Sequence, residues 1–438
     1  MADPGVADSG VADPGAADLT ARERAIADAV DPARLEAELC AVVAIPSITG
    51  EEEAIQDLVA RMVSEAGLVL ERTETDPRAL EEDPDFPGME MPRTRLPVVA
   101  GRFRGARPGP RLLVVGHVDV VPPGDPASWT SPAFEPALRD GRIYGRGACD
   151  MKGGLISAFA AVRALAAVAD PAELAGEAVF VSVPAEEDGG AGMLAAIRSG
   201  YVGDMAVITE PTRLDVVVTQ AGAITFRLRV PGRAAHASMR REGVSALEKL
   251  EVLHAALRAD ETVRNESETD PAMRAIGLPY PTIIGRVSGG DWASTVPDLV
   301  VAEGRYGVRA GQTSEQAEVE LHRVIARANE ADPFLREHPA SVEVFGGRFD
   351  SARVDPDGPL PTSLVAASSA VDGREPRRIG VPYGADMRLL VQQGATPTVI
   401  YGPGDPRVAH SANENVPLDE VTRCARVLAV WLYRQMRG

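Results

Sequence analysis

Four apolar runs in this 438-residue sequence each end on a residue able to bind a metal ion or move a proton. RLLVVG leads into His117-Val118-Asp119, AVFVSVPA into Glu186-Glu187-Asp188, DMAVIT into Glu210, and PTVIYG, through the loop PGDPRVA, into His410. A fifth group, Asp150, sits in YGRGACDMKGG just ahead of a helix, where Gly153 and Gly154 allow close backbone approach. Singly, each has an ordinary explanation: a satisfied core histidine, or a solvated run of acids. Together those explanations require every group to reach the carboxyl end of a strand by coincidence. That edge is where open α/β sheets bind their ligands. Two His, one Asp and two Glu are a donor set that borderline divalent ions such as zinc accept. Three carboxylates against two such ions leave room for a hydroxide.

The local spacing adds detail. His117 and Asp119 lie two apart on extended chain and point the same way, so the carboxylate can take the imidazole N–H and fix the metal-binding tautomer. Glu186 and Glu187 point apart in extended backbone, but a turn can bring both to one site. One then binds metal while its neighbour stays free as a general base.

The elements that must position these groups read as α/β. Apolar runs at Arg111–Gly116, Ala178–Pro184, Met205–Ile208 and Pro397–Tyr401 alternate with helical stretches such as Leu155–Val168 and Met193–Ser199. This predicts a mostly parallel mixed sheet flanked by helices. Upstream, a helix from Ala21 to Ala44 breaks near Asp31-Pro32. Thr49 and Glu52 have capping-box spacing ahead of Ile55, Leu58, Val59 and Met62. The acidic, proline-rich stretch 73–97 reads as a surface excursion. Residues 223–348 follow a β-α-β-β-α-β order, an α+β ferredoxin-like unit inserted into the larger one. The expected division is a disordered Ala-Asp-Pro-Gly tail at 1–20, catalytic parts at 21–222 and 349–438, and the insert at 223–348.

Composition narrows the function. A net charge of −19 and 4% aromatics argue against a phosphate-tracking or base-stacking nucleic-acid binder and against a basic membrane-surface protein. No run of about 18 apolar residues predicts a membrane span. Cys40, Cys149 and Cys424 are too few and too scattered for a disulfide framework. With no secretory-signal pattern at the N-terminus, the expected location is the cytoplasm. GRGACDMKGG misplaces the third glycine of a dinucleotide fingerprint, no P-loop is found, and no G-x-S-x-G elbow marks a serine hydrolase.

The blocks GHVDVVP, GRGACDMKGG, PAEEDGG, TEPT, PGRAAHAS and GPGDPRVAHSANE resemble, in order, the signature blocks of the M20 metallopeptidases. That family includes acetylornithine deacetylases, succinyl-diaminopimelate desuccinylases, aminoacylases and carboxypeptidase G-type enzymes. The resemblance covers about residues 35–436. It implies a di-zinc exopeptidase-like catalytic domain, with the insert serving as lid and dimerisation domain of a homodimer. Asp150 would bridge two ions, zinc first and cobalt or manganese next. His117 and Glu210 would complete one ion's shell, Glu187 and His410 the other's. Asp119 would orient His117, and Glu186 would deprotonate the bridging water and carry the proton to the leaving amine. A cis peptide is expected at Asp150–Met151, and His236 would reach a partner's site as an oxyanion donor. Arg305 falls where relatives grip a substrate carboxylate, and Ser294 and Gly402 complete the expected substrate-binding set.

Departures cluster in the lid: Ser294 where relatives often have Asn, Glu303 for the usual Asp, Ser245 for a common Asn. The expected activity is hydrolysis of the amide of a small, carboxylate-bearing N-acyl amino acid, by deacetylase- or desuccinylase-like chemistry. The alternatives are a dipeptidase or carboxypeptidase acting on short peptides and, remotely, an inactive ligand-binding protein.

Overall fold

Why the chemistry gathers at one edge follows from how the strands pair. The computed structural model describes residues 19–437, so nearly all of the Ala-Asp-Pro-Gly tail lies outside the described residues. The main sheet has nine strands. Its four central strands, in the order Ala175–Val183, Arg107–His117, Met205–Ile208 and Thr398–Ile400, run parallel. Their carboxyl ends therefore face one way. Beyond Ala175–Val183 the sheet adds Leu96–Arg104 and Val69–Thr75, both antiparallel to their neighbours. Beyond Thr398–Ile400 it adds Val216–Gln220, which pairs with Ala352–Arg353 and with Arg378–Val381.

The continuous apolar runs are explained by burial on both faces. Leu112 and Val114 pack into a core with helices Gly153–Val168 and Leu418–Arg437. Leu113 and Val115 point the opposite way, toward Ala191–Arg198 and Met387–Gln392. Each such side chain, taken fully from water, stabilises the fold by about 1.5–3 kcal/mol. The segment Ala148–Val168 is long and apolar enough to cross a bilayer, but here it is mostly buried as a core helix. The N-terminal break falls where proline predicts. Helix Ala21–Asp28 gives way to Pro32–Val43, capped by Asp31 with Pro32 in its first turn.

Two local expectations are corrected. Thr49 and Glu52 form no capping box, because helix Glu53–Glu65 starts on Glu52 without a side-chain cap. The Glu52 carboxylate is instead taken by the Gly50 N–H at 2.8 Å and by Arg93. The acidic 73–97 stretch is also no simple excursion. It contains the end of strand Val69–Thr75, the short helix Pro77–Glu81 and the deeply buried Arg93 side chain.

The inserted unit is one antiparallel four-stranded sheet, ordered Thr282–Gly289, Leu299–Val308, Gly222–Pro231 and Ser341–Phe349. Helices Ala246–Glu266 and Ser314–Ala331 cover one face. Alternation along Gly222–Pro231 buries Ile224, Phe226, Leu228 and Val230. The helix starts are written in the sequence: Ser245 caps the first, and Thr313 with Gln316 makes a capping box on the second.

Candidate metal centre

His117 ends its strand with Nε2 facing Asp150 Oδ1 at 3.3 Å and Glu210 Oε1 at 3.5 Å. Its Nδ1 meets the backbone carbonyl of Asp119 at 2.9 Å, while the nearer Asp119 carboxylate oxygen is 3.5 Å away. A carbonyl can only accept, so Nδ1 carries a proton, and Nε2 is the nitrogen left to bind an ion. The tautomer is thus set chiefly by the main chain of Asp119, not by its side chain as the two-residue spacing suggests. The fully buried Asp119 carboxylate also has a second task. It accepts the backbone N–H groups of Glu186 and Glu187, each at 3.1 Å.

Asp150 lies opposite both histidines, with Oδ2 at 3.3 Å from His410 Nε2. A cis peptide joins it to Met151. Close packing here depends on Gly154, since a Cβ at that position would fall 1.8 Å from the Thr209 carbonyl oxygen. The loop's other support was missed in the sequence. Buried Glu414 accepts the Cys149 and Asp150 N–H groups at 2.9 and 3.0 Å and pairs with Arg146 at 2.6 Å. Glu414 ends the quoted block HSANE, four residues after His410, and that proximity was the available signal.

Glu187 Oε2 is 3.1 Å from His410 Nε2, and its buried Oε1 has no hydrogen-bond partner. Glu186 is buried beside them and belongs to neither donor group. Burial first and the Glu210 carboxylate second push Glu186 well above the ordinary carboxylate range. His410 is pushed up to about 11 by Asp150 and Glu187. Such imidazole–carboxylate clusters share protons that divalent ions displace. Two donor sets fit ions: His117, Asp150 and Glu210, and Asp150, Glu187 and His410, each with donor atoms within 4.8 Å of one another. Asp150 is common to both. The unpartnered Glu187 oxygen and the mixed imidazole–carboxylate donors suit zinc-like cations.

The family decides the wider reading. Residues 113–434 match the description Peptidase family M20/M25/M40. The chain belongs to the M20 family. It is accordingly a hydrolase of amide bonds. Among similar proteins, the N-formyl-4-amino-5-aminomethyl-2-methylpyrimidine deformylase of Bacillus subtilis (strain 168) is 27% identical, over 86% of this chain and 88% of its own. The succinyl-diaminopimelate desuccinylase of Gluconacetobacter diazotrophicus is 29% identical, over 80% of this chain and 87% of its own. The solved dipeptidase Dug1p from Saccharomyces cerevisiae shares the fold, with a TM-score of 0.70 at 16% identity, covering 94% of this chain and 98% of that one.

The remaining expected M20 residues divide. Arg305, half-buried on strand Leu299–Val308, donates to the Pro382 carbonyl at 3.1 Å and has no acidic partner among the described residues. His236 and Ser294 lie together, exposed, on the lid: the Ser294 carbonyl accepts the Ala237 N–H at 2.9 Å, and His236 Nδ1 meets Ser238 Oγ at 2.8 Å. Among the described residues, neither hydrogen-bonds to a residue of the two donor sets. Gly402 offers substrate no free backbone group, because its N–H donates to Thr212 Oγ1 and its carbonyl accepts from Thr212 and Leu214. It serves packing, since a Cβ there would sit 2.3 Å from the Thr209 carbonyl oxygen. Next to the Arg305 contact, Tyr383 reaches the Pro211 carbonyl at 3.4 Å, and burial with the nearby Glu210 pushes its phenol well up. Three residues on, burial pushes Asp386 up to about 7. Neither was singled out by the sequence.

Proposed function

We propose that this M20 enzyme hydrolyses the amide bond of a small, carboxylate-bearing N-acyl amino compound, with deacetylase- or desuccinylase-like action. The observation that carries the substrate class is Arg305. Burial pulls its guanidinium below its usual range, and no carboxylate among the described residues offsets it. It donates to a carbonyl in the Pro382–Asp386 loop, which also carries Tyr383 toward the metal ligands. A planar donor fork in that setting suits a substrate carboxylate. The first relatives remove formyl or succinyl groups.

Two divalent ions, zinc before cobalt or manganese, would be held by His117, Asp150, Glu187, Glu210 and His410, and would activate water and polarise the scissile carbonyl. Glu186 takes the proton from the attacking water and returns it to the leaving amine. Asp119 fixes the Glu186–Glu187 turn through two amides and the His117 ring through its carbonyl. The direct test is amine release from N-formyl-, N-acetyl- and N-succinyl-amino acids and from dipeptides, with metal-stripped and zinc-reconstituted enzyme side by side. Zinc-dependent release from one N-acyl class is expected. Release from dipeptides alone would move the enzyme to the peptidases.

The lid supports a homodimer within this reading. Its edge strand Thr282–Gly289 exposes Ile283 and Val287, and Trp292 beyond it is 74% exposed. An apolar sheet edge of this kind is a template for a second copy. In such a dimer, exposed His236 serves the partner's site as an oxyanion donor, and His236→Ala lowers kcat on the order of 10²-fold. Mixing equal amounts of His236→Ala and Glu186→Gln subunits should restore about a quarter of wild-type activity, because about half of all dimers are then heterodimers and each of these carries one intact composite site of two. No recovery on mixing would return His236 to a structural role.

A further inference from the structure

The turn that carries Glu186 and Glu187 is gripped by a loop that lies before the matched family segment, which begins at residue 113. Arg93 on that loop has a side chain only 1% exposed. Its Nη1 donates to both oxygens of Asp188 at 3.0 Å, and its Nη2 to Glu52 Oε1 at 2.8 Å. Asp188 Oδ2 also accepts the N–H groups of Glu90 and Met91 at 3.1 and 2.9 Å. From the other side, Asp119 holds the amides of residues 186 and 187. Three consecutive residues are therefore fixed, two through the backbone and the third through its side chain.

The same loop ties down the lid. The Pro87 carbonyl accepts the Arg348 N–H at 2.8 Å, and Glu90 Oε1 accepts the Gly347 N–H at 3.3 Å. Gly88 is wedged between the two units: a Cβ on Gly189 would fall 2.4 Å from the Gly88 carbonyl oxygen, and one on Gly88 would fall 2.7 Å from that of Gly346. Strand Ser341–Phe349 shifts register between Phe345 and Arg348, just before the chain returns to the catalytic domain.

We propose that Arg93 is a positioning residue: through Asp188 it sets the Glu186–Glu187 turn, and with it the Glu187 carboxylate opposite His410, from a loop that also anchors the lid's return strand. Without the guanidinium, Glu52 and Asp188 are left buried without their counter-charge. Asp188 relieves this by turning away from the loop, and Glu187, its neighbour, moves off His410. His117 and Glu210 stand on other strands and stay in place. The effect is therefore selective for one of the two ion positions.

This inference rests on the two-ion reading of the site, and the experiment separates the two. Metal-free wild type, Arg93→Met, Arg93→Lys and His410→Ala are titrated with cobalt(II), following ion content and cobalt absorption, and kcat and KM are measured after reconstitution. Wild type binding fewer than two ions overturns both readings. With two ions in wild type, Arg93→Met should weaken one of them 10- to 100-fold and leave the other unchanged. The remaining cobalt spectrum should match that of His410→Ala. Its kcat should fall by a similar factor with KM nearly constant, and Arg93→Lys should recover most of the loss. Equal weakening of both ions, or two wild-type affinities with only a lower melting temperature, overturns the role of Arg93. If Arg93→Met does not fold, Asp188→Asn carries the same selective expectation and the same refutation.

Discussion

Glu186→Gln is expected to lower kcat by on the order of 10³- to 10⁴-fold, the upper part of what a positioned proton carrier contributes. Ion content and KM should stay close to wild type. The expectation follows from the separation of roles inside one dipeptide. Glu187 faces His410 at 3.1 Å and belongs to a donor set, whereas Glu186 belongs to neither. The Glu186 amide is held by Asp119 at 3.1 Å, so the substituted side chain starts from the same backbone position. Burial and the nearby Glu210 carboxylate make Glu186 hold a proton more readily than an exposed glutamate does, which suits a group that must take a proton and give it back. Glutamine keeps the volume and removes only that capacity. Metal analysis beside steady-state kinetics decides the matter. Wild-type turnover in the variant removes Glu186 from the mechanism, and loss of an ion moves it among the ligands.

The groups that were legible in the sequence share a local signature. His117, Glu187 and Glu210 follow apolar runs closely, His410 follows one through a short loop, and Asp150 sits in a glycine-flanked loop, so strand ends and chemistry could be read from nearby residues. The lid was legible for the same reason: its strand-like and helix-like segments follow one another in a β-α-β-β-α-β order that local residues reveal. What could not be read depends on contacts far apart in the chain. Arg93 meets Asp188 across 95 residues, and Glu414 meets the Asp150 amide across 264. Average composition hid Arg93, because an acidic, proline-rich window says nothing about its single buried cation. Glu52 shows a second failure. Its capping-box spacing is real, but a buried guanidinium outcompetes the helix terminus for its carboxylate. At Asp119, the spacing argument placed side chain against side chain, and the carboxylate does lie 3.5 Å from the imidazole, but the chain's turn after His117 also delivers the carbonyl, at 2.9 Å.

Asp150→Asn is the substitution expected to cost most in metal binding, since Asp150 alone belongs to both donor sets. Its two oxygens face different histidines, Oδ1 toward His117 and Oδ2 toward His410, each at 3.3 Å. An amide nitrogen in place of one oxygen presents N–H groups to one ion position, and loss of the charge weakens the other. Its backbone N–H remains available to Glu414, so the loop keeps its anchor. Ion content after gel filtration should fall below one per chain, with turnover lost accordingly. A second readout needs no catalysis. An ion that binds only the folded chain stabilises it by about 2.7 kcal/mol at a hundredfold excess over its dissociation constant. Zinc should therefore raise the melting temperature of metal-free wild type and of Glu186→Gln, but not of Asp150→Asn. If Asp150→Asn keeps one ion at wild-type affinity together with part of the thermal shift, Asp150 serves a single ion. The shared-ligand arrangement then fails, even though every other residue of the site stands where the structure places it.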